Sequence, residues 1–354
     1  MDETPKKENK KSKVIVTAIF IIVNVIVIGW TFVKEYRGGQ SAEKFRNVHI
    51  EAAYLIPAAL CMIAAITAET AKYALVMKRT LGYVSWKLCR RTVLLGRYYD
   101  NITPSGIGGQ PFQIYYMKKN GIPNAESAAI PIIGFLAMQF SFIILALLAA
   151  AFGRKYVESD AVRIASYVGI VCYSLFPFLI LLFTFFQGFS ERLTKGVVSF
   201  LALLHLVKDK EKTTAKFIEN VEGYSVTLRS FLKNGPTCVG VMLLGLAYQI
   251  TLCMVPYFVI LAFGGQIGFL SCFITTVTIY AAITFIPTPG NAGAAEGVFY
   301  AVFSVLTSGY IFWAMLTWRF FVFYAFIIYG IILTIVDSVE RKRRSKEETD
   351  GKKA

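Results

Sequence analysis

Glu296 and Arg319 are charged residues in otherwise apolar surroundings. Glu296 lies in a run of glycine and alanine, and Arg319 lies about two helical turns inside the apolar segment 311–336. A charge at this depth in a membrane costs about 2.5–3.5 kcal/mol, so each side chain should face a partner or water rather than lipid. Either the two residues form a structural ion pair, or Arg319 binds a lipid phosphate while Glu296 binds a cationic headgroup.

A stretch of helix-breaking residues, N-x-T-P-x-G-x-G-G-x-P, occupies residues 101–111. Proline removes a backbone donor and glycine is the costliest residue to order, so a helix cannot continue through it. Open backbone at membrane depth survives only where protein or a water-filled cavity surrounds it. The stretch is therefore a candidate substrate site. The residues that we assign to it are Asn101, Thr103, Pro104, Gly106, Gly108, Gly109 and Gln110.

A second broken stretch, P-x-P-G-x-x-G-x-x-E, occupies residues 287–296. Two interrupted segments in corresponding halves of a chain indicate a transporter binding site. Thr-Pro and glycine are also common at any helix break, so the internal repeat stays an open alternative. Four residues align between the stretches at one constant offset: Thr103, Pro104, Gly108 and Tyr115 with Thr288, Pro289, Gly293 and Tyr300. The site residues assigned here are Pro287, Pro289, Gly290, Asn291, Gly293 and Glu296, together with Arg319.

Composition predicts an all-α, polytopic integral membrane bundle that contains these two broken or re-entrant segments. Of the 354 residues 56% are hydrophobic, and repeated apolar runs are long enough to cross a hydrocarbon core of about 30 Å. The net charge of +15 comes from basic residues beside those runs, which is the distribution of cytoplasmic loops and not that of a nucleic-acid-binding protein. The six cysteines are scattered without metal-ligand spacing, and we expect neither a metal nor another cofactor.

The predicted membrane domain covers residues 14–336, between basic cytoplasmic tails at 1–13 and 337–354. Residues 269–308 form either two full crossings around a break or a hairpin that stops at mid-depth, and we favour the hairpin. Location in the cell membrane, with both termini cytoplasmic, follows from the charge distribution. Apolar spans are expected near residues 14–33, 51–77, 128–152, 164–186, 236–263 and 311–336.

Two segments read as amphipathic helices on the cytoplasmic surface. Residues 78–100 mix basic residues, among them Arg97, with large apolar ones, which is typical of a helix on an anionic leaflet. Residues 187–234 contain an apolar stripe at helical spacing, and an amphipathic surface helix is expected there. The stripe consists of Phe217, Val221, Tyr224, Leu228 and Phe231.

Glu69 and Lys72 lie one turn apart near the end of the predicted span 51–77. Their spacing permits an ion pair. Both also lie close to Lys78 and Arg79, and we favour an interfacial location in which the two side chains reach the headgroups.

The two broken motifs followed by Arg319 in the last span resemble the transmembrane region of lysylphosphatidylglycerol synthases, the multiple peptide resistance factors. The resemblance covers nearly the whole chain. It implies a region that flips aminoacylated phospholipid, while a separate cytoplasmic domain of two-part members transfers lysine from charged tRNA to phosphatidylglycerol. We expect no such domain here, because the chain reaches Ala354 shortly after its last span.

The residues and the resemblance together predict a translocator of a charged-headgroup phospholipid, with membrane phospholipid as its partner. The resemblance also implies a separate aminoacyl-phospholipid synthase as a possible second partner. Nucleotide-binding and hydrolase motifs are missing from the sequence, so an enzyme is the less favoured class. One alternative is a phosphatidylglycerol lysyltransferase or its membrane subunit, by family resemblance only. A small-solute transporter is the second alternative, and the sequence permits a homo-oligomer.

Overall fold

The structure is a computed structural model that describes residues 50–351, apart from 104–105, 107, 158, 187, 189–190, 193, 197, 200–208, 285, 287, 289 and 304–309. Within those residues it contains eleven α-helices and no strand, which confirms the all-α prediction. The helices are α1 (Leu55–Leu81), α2 (Trp86–Ile102), α3 (Gly109–Lys119), α4 (Asn124–Phe152), α5 (Asp160–Phe185), α6 (Lys210–Leu232), α7 (Gly235–Ala262), α8 (Phe269–Ile283), α9 (Ala294–Phe303), α10 (Ile311–Arg319) and α11 (Ala325–Gly351).

Five stretches of helix are long and apolar enough to cross a membrane, and the chain is a multi-pass membrane protein on this evidence. They are Ala52–Leu81, Asn124–Phe152, Asp160–Phe185, Gly235–Ala262 and Ile311–Asp337. The last of these joins α10 to α11 through a π-helical turn at Phe320–Tyr324. The predicted span 14–33 lies outside the described residues.

The two broken stretches each join a pair of short helices. In the first pair, α2 packs directly against α3. In the second pair, α8 contacts α9, and at 1.5 Å per residue these helices are only about 22 Å and about 15 Å long. Both are shorter than a hydrocarbon core of about 30 Å. Residues 304–309, which follow α9, lie outside the described residues, so the choice between the hairpin and two full crossings stays a prediction.

The centre of the bundle is the long contact between α1 and α7, the most extensive helix pair in the structure. Small residues of α1, such as Ala58, lie fully buried against Val255 and Val259 of α7. Small residues let helix backbones approach closely, which is the usual basis of helix association in membranes. Helix α2 packs on α1 and helix α8 packs on α7, so this core contacts both pairs of short helices.

The predicted helix with an apolar stripe is observed as α6, and the C-terminal part of the stripe is buried. Leu228 and Phe231 are buried in a cluster with residues of α1, α2 and α4, whereas Phe217 remains exposed. The side chain of Arg229 donates hydrogen bonds to the carbonyl oxygen of Thr184, at the end of α5. The C-terminal half of α6 therefore packs against the bundle.

Glu69 and Lys72 form the ion pair that their spacing permits, and the interfacial prediction for them is wrong. Lys72 Nζ lies 2.7 Å from Glu69 Oε2. The exposed fractions are 0% for Lys72 and 5% for Glu69, so neither side chain can reach the headgroups. The pair is buried because α1 turns this face toward the protein core, where each charge neutralises the other.

A charged cluster connects the first turns of α2 to the middle of α11. Arg91 donates hydrogen bonds to Asp337 at 2.7 Å and to both carboxylate oxygens of Glu340 at 2.9 Å. Lys87 Nζ adds a weaker contact, 3.5 Å from Glu340 Oε1. Hydrogen bonds from Arg91 lower the pKa of Glu340 from its ordinary value of 4.5 to about 2.

Because the folded-state pKa of Glu340 is depressed, its contribution to stability is present above pH 4.5 and lost as the pH falls through about 2. We expect Glu340→Gln to lower the thermal midpoint slightly between pH 5 and 7. The difference from the unmodified protein should shrink between pH 4.5 and 2.5. Glu222→Gln, a change at an exposed glutamate of α6, is the matched control and should show a smaller difference at every pH. If the two thermal midpoints differ at pH 2.5 by as much as they do at pH 5–7, the ionised Glu340 does not stabilise the fold through its contact with Arg91.

Candidate functional site

The first broken stretch is closed by two polar side chains from the end of α2. Asp100 Oδ1 accepts a hydrogen bond of 2.8 Å from the backbone N–H of Gly109. Thr103 Oγ1 accepts one of 2.9 Å from the N–H of Gly108 and donates one of 2.8 Å to the carbonyl oxygen of Tyr99. These bonds satisfy the amides that begin α3, where a negative charge is also favoured by the helix dipole.

The second broken stretch turns through two consecutive residues whose backbone adopts the left-handed conformation. Gly290 and Asn291 have φ values of +57° and +54°, which glycine and asparagine tolerate best. A Cβ atom at Gly290 would collide with the ring of Phe323 in the π-helical turn. The turn of Thr288 is closed by a hydrogen bond of 2.9 Å from its Oγ1 to the carbonyl oxygen of Ala292. Thr103 and Thr288 thus make different bonds, so the sequence match does not extend to equivalent hydrogen bonding.

Glu296 and Arg319 form a buried ion pair behind the second turn. Arg319 Nε donates to Glu296 Oε1 at 2.6 Å, and the exposed fractions of the side chains are 6% and 3%. The remaining arginine nitrogens donate to backbone, Nη1 to Gly290 O at 3.1 Å and Nη2 to Asn291 O at 3.4 Å. Glu296 Oε2 accepts from the N–H of Gly293 at 2.7 Å. The pair therefore fastens the second turn to the last span.

One cavity of about 480 Å³ lies between the two broken stretches. Its floor and walls come from both turns and from α4, α5, α7, α8 and the last span. The volume falls in the range of about 300–1,000 Å³ that is usual for small-molecule sites. Its polar and charged lining residues include Arg97, Asp100, Asn101, Gln110, Gln139, Tyr248, Gln249, Asn291 and Arg319.

The predicted site residues divide into a lining group and a supporting group. Six of the fourteen line the cavity: Asn101, Gly106, Gln110, Gly290, Asn291 and Arg319. Five others support the turns through the bonds described above or by their place in them: Thr103, Gly108, Gly109, Gly293 and Glu296. Pro104, Pro287 and Pro289 lie outside the described residues.

Arg97 and Asp100 are cavity residues that sequence reasoning missed. The segment 78–100 predicts a surface helix, and for these two residues that location is wrong, because both line the cavity. Arg97 Nη2 lies 2.8 Å from Met138 Sδ, and its guanidinium lies 4.8 Å from the ring centroid of Tyr248. Both residues lie within four positions of Asn101, where the first broken stretch begins. That proximity is the feature of the sequence that could have identified them as site residues.

The last span is irregular where it meets both turns. Asn101 Nδ2 donates a hydrogen bond of 3.4 Å to the carbonyl oxygen of Phe323, inside the π-helical turn that follows Arg319. Such turns expose backbone groups and are frequent at functional sites. Both broken stretches therefore contact the same short segment of the last span, through Asn101 on one side and Gly290 on the other.

A metal site has no support in the described part of the chain, where no three histidine, cysteine, aspartate or glutamate residues are grouped. The cysteines in these residues are free, and Cys172 is the exposed one that lines the cavity. The chemistry available at the site is therefore hydrogen bonding and charge pairing by arginine, carboxylate, amide and tyrosine side chains.

Comparison with known proteins gives one family. A family model described as "Lysylphosphatidylglycerol synthase TM region" matches residues 14–330. No curated protein and no solved structure gives a significant match. The matched range contains both broken stretches and every residue that lines the cavity.

Proposed function

The chain belongs to the family of the transmembrane region of lysylphosphatidylglycerol synthases, and from this premise we propose that it moves a charged-headgroup phospholipid across the cell membrane. The favoured substrates are aminoacylated phospholipids and other phospholipids with a charged headgroup. Under this proposal the headgroup occupies the cavity between the two broken stretches.

The observation that carries the proposal is the meeting of both broken stretches at one cavity lined by two arginines, an aspartate and several side-chain amides. A bare charged headgroup cannot cross hydrocarbon at low cost, because desolvation of each charge is expensive. A lining of arginine, carboxylate and amide groups replaces the lost water, while the acyl chains stay in the bilayer. The cavity volume of about 480 Å³ suits a headgroup with its phosphate and not a whole diacyl lipid.

The proposed orientation places both termini and the end of α11 in the cytoplasm, by the distribution of basic residues. A separate synthase would supply the aminoacylated lipid on that side. Movement would follow the lipid gradient or the movement of an ion, because the sequence carries no nucleotide-binding motif. Synthesis by the chain itself is the alternative that the family's description favours, and a transfer assay with charged tRNA and phosphatidylglycerol tests it separately.

The experiment is a translocation assay in proteoliposomes that contain the purified protein and a fluorescent phosphatidylglycerol. A membrane-impermeant quencher reports the fraction of lipid that reaches the outer leaflet over time. We expect the protein to accelerate the movement of lipids with a charged headgroup. It should leave the rate for fluorescent diacylglycerol unchanged, because that lipid has no charge to desolvate and crosses the bilayer unaided. Equal rates with and without protein for every charged lipid would remove the proposal.

A further inference from the structure

Arg97 is a cation with no acidic partner in contact. Of the described residues, none places a carboxylate oxygen within 4 Å of its guanidinium, and its neighbours are the sulfur of Met138 and the ring of Tyr248. Glu69 and Asp100 act on it only through space. Thioether sulfur is a weak acceptor, and a tyrosine ring offers a modest cation–π attraction.

Arg319, the other arginine of the cavity wall, is already engaged. All three of its nitrogens donate hydrogen bonds, one to the Glu296 carboxylate and two to backbone carbonyl oxygens of the second turn. These contacts use three of its five N–H groups, so a phosphate could engage only the second N–H of Nη1 and of Nη2. Arg319 therefore offers a phosphate fewer donors than Arg97 does, and its charge is already balanced by Glu296, whereas no carboxylate in the described residues pairs with Arg97.

The surroundings of Arg97 fit an anion with hydrogen-bond donors attached. Asp100 lies on the same side of α2, nearly one turn further on, and uses Oδ1 to hold Gly109. No donor in the described part of the chain reaches its Oδ2. Asn101 and Gln110 line the same wall and supply amide donors and acceptors. Lys72 does not compete for the anion, because Glu69 neutralises it.

We propose that Arg97 binds the phosphodiester of the translocated lipid, and that Asp100 accepts a hydrogen bond from the hydroxyl or ammonium group at the other end of the headgroup. This inference rests on the proposed function and identifies Arg97 as the residue that holds the phosphate of the lipid. Arginine suits the role because its planar fork of donors engages two phosphate oxygens at once. Arg319 and Glu296 then hold the second turn in place and do not contact the phosphate.

The test measures binding of three probes to the full-length protein in a nonionic detergent, by titrating the thermal midpoint. The probes are dihexanoyl phosphatidylglycerol, dihexanoylglycerol, which lacks the phosphate, and sn-glycerol 3-phosphate, which lacks the chains. We expect Arg97→Gln to weaken binding of dihexanoyl phosphatidylglycerol by about ten- to a hundredfold, with Arg97→Lys in between. Arg90→Gln, a change at an exposed arginine of the same helix, should bind as the unmodified protein does.

The outcomes distinguish a wrong assignment of Arg97 from a wrong proposal of lipid translocation. If Arg97→Gln binds the phospholipid as tightly as the unmodified protein, the Arg97 anchor is wrong while lipid binding stands. If the unmodified protein binds no phospholipid, or binds glycerol 3-phosphate equally well, the proposed function is contradicted, and the inference about Arg97 is contradicted with it. Arg97→Lys keeps the charge, so it controls for misfolding of the glutamine variant: partial binding by a folded lysine variant supports the anchor, and binding equal to that of Arg97→Gln contradicts it.

Discussion

Arg319→Gln is expected to lower the free energy of unfolding by about 3–5 kcal/mol, because it leaves the buried Glu296 carboxylate without its cation. Glu296→Gln should cost a similar amount. The double variant Glu296→Gln/Arg319→Gln should recover a large part of the loss, since two neutral amides leave no buried charge unpaired. Denaturant unfolding in mixed micelles measures all three.

The matched control for this prediction is the pair of Asp160 and Arg163 at the start of α5. These residues also form an ion pair, but Asp160 is 76% exposed, so breaking the pair with Arg163→Gln should cost about 1 kcal/mol or less. A loss for Arg319→Gln no larger than that of the control would show that the buried pair does not hold the second turn. That outcome would favour the alternative in which Glu296 and Arg319 exchange partners with the lipid.

Cys172→Trp is expected to reduce lipid translocation to the rate of protein-free vesicles. Cys172 is exposed and lines the cavity, so an indole at this position fills space that the headgroup needs. Because the site is exposed, the larger side chain should not disturb the packed core of the bundle. The proteoliposome assay with fluorescent phosphatidylglycerol measures the effect.

Val171→Trp tests whether the loss comes from the cavity and not from a larger residue on α5. Val171 is 63% exposed, adjacent in sequence and not part of the cavity lining. We expect this variant to move lipid at the rate of the unmodified protein. Full activity of Cys172→Trp, in a variant that is folded and inserted, would place the lipid path outside the cavity.

Much of the architecture follows from the sequence because hydrophobic length and helix breakers act locally. The apolar runs predict the spans, and glycine and proline between residues 101 and 111 predict an interrupted helix whatever surrounds it. The periodic apolar residues of α6 also predict their helix correctly. These features depend on residues close in the chain, so they need no knowledge of tertiary contacts.

The errors concern which way a charged residue faces once helices pack. Lys72 and Arg97 both lie near clusters of basic residues, and that proximity favours a surface location for each. In the structure Lys72 is fully buried beside Glu69, and Arg97 lines the cavity next to Tyr248. The direction of these side chains is set by α4 and α7, which are distant in the sequence, so composition and spacing alone cannot give it.

The π-helical turn at Phe320–Tyr324 is a second feature that the sequence does not predict. Its aromatic residues read as an ordinary continuation of an apolar helix. The turn accommodates the close approach of Gly290 to Phe323 and the hydrogen bond from Asn101 to the Phe323 carbonyl oxygen. Both contacts come from segments that meet the last span only after folding.

An electron cryomicroscopy map of the protein in phosphatidylglycerol nanodiscs would show where a phospholipid headgroup binds. We expect headgroup density inside the cavity between the turns at Gly106 and Gly290, with the phosphate beside Arg97 and the acyl chains extending out of the cavity. A map in which that cavity holds no lipid, while ordered phospholipids occupy only the outer surface of the bundle, would contradict the proposal that the headgroup binds there.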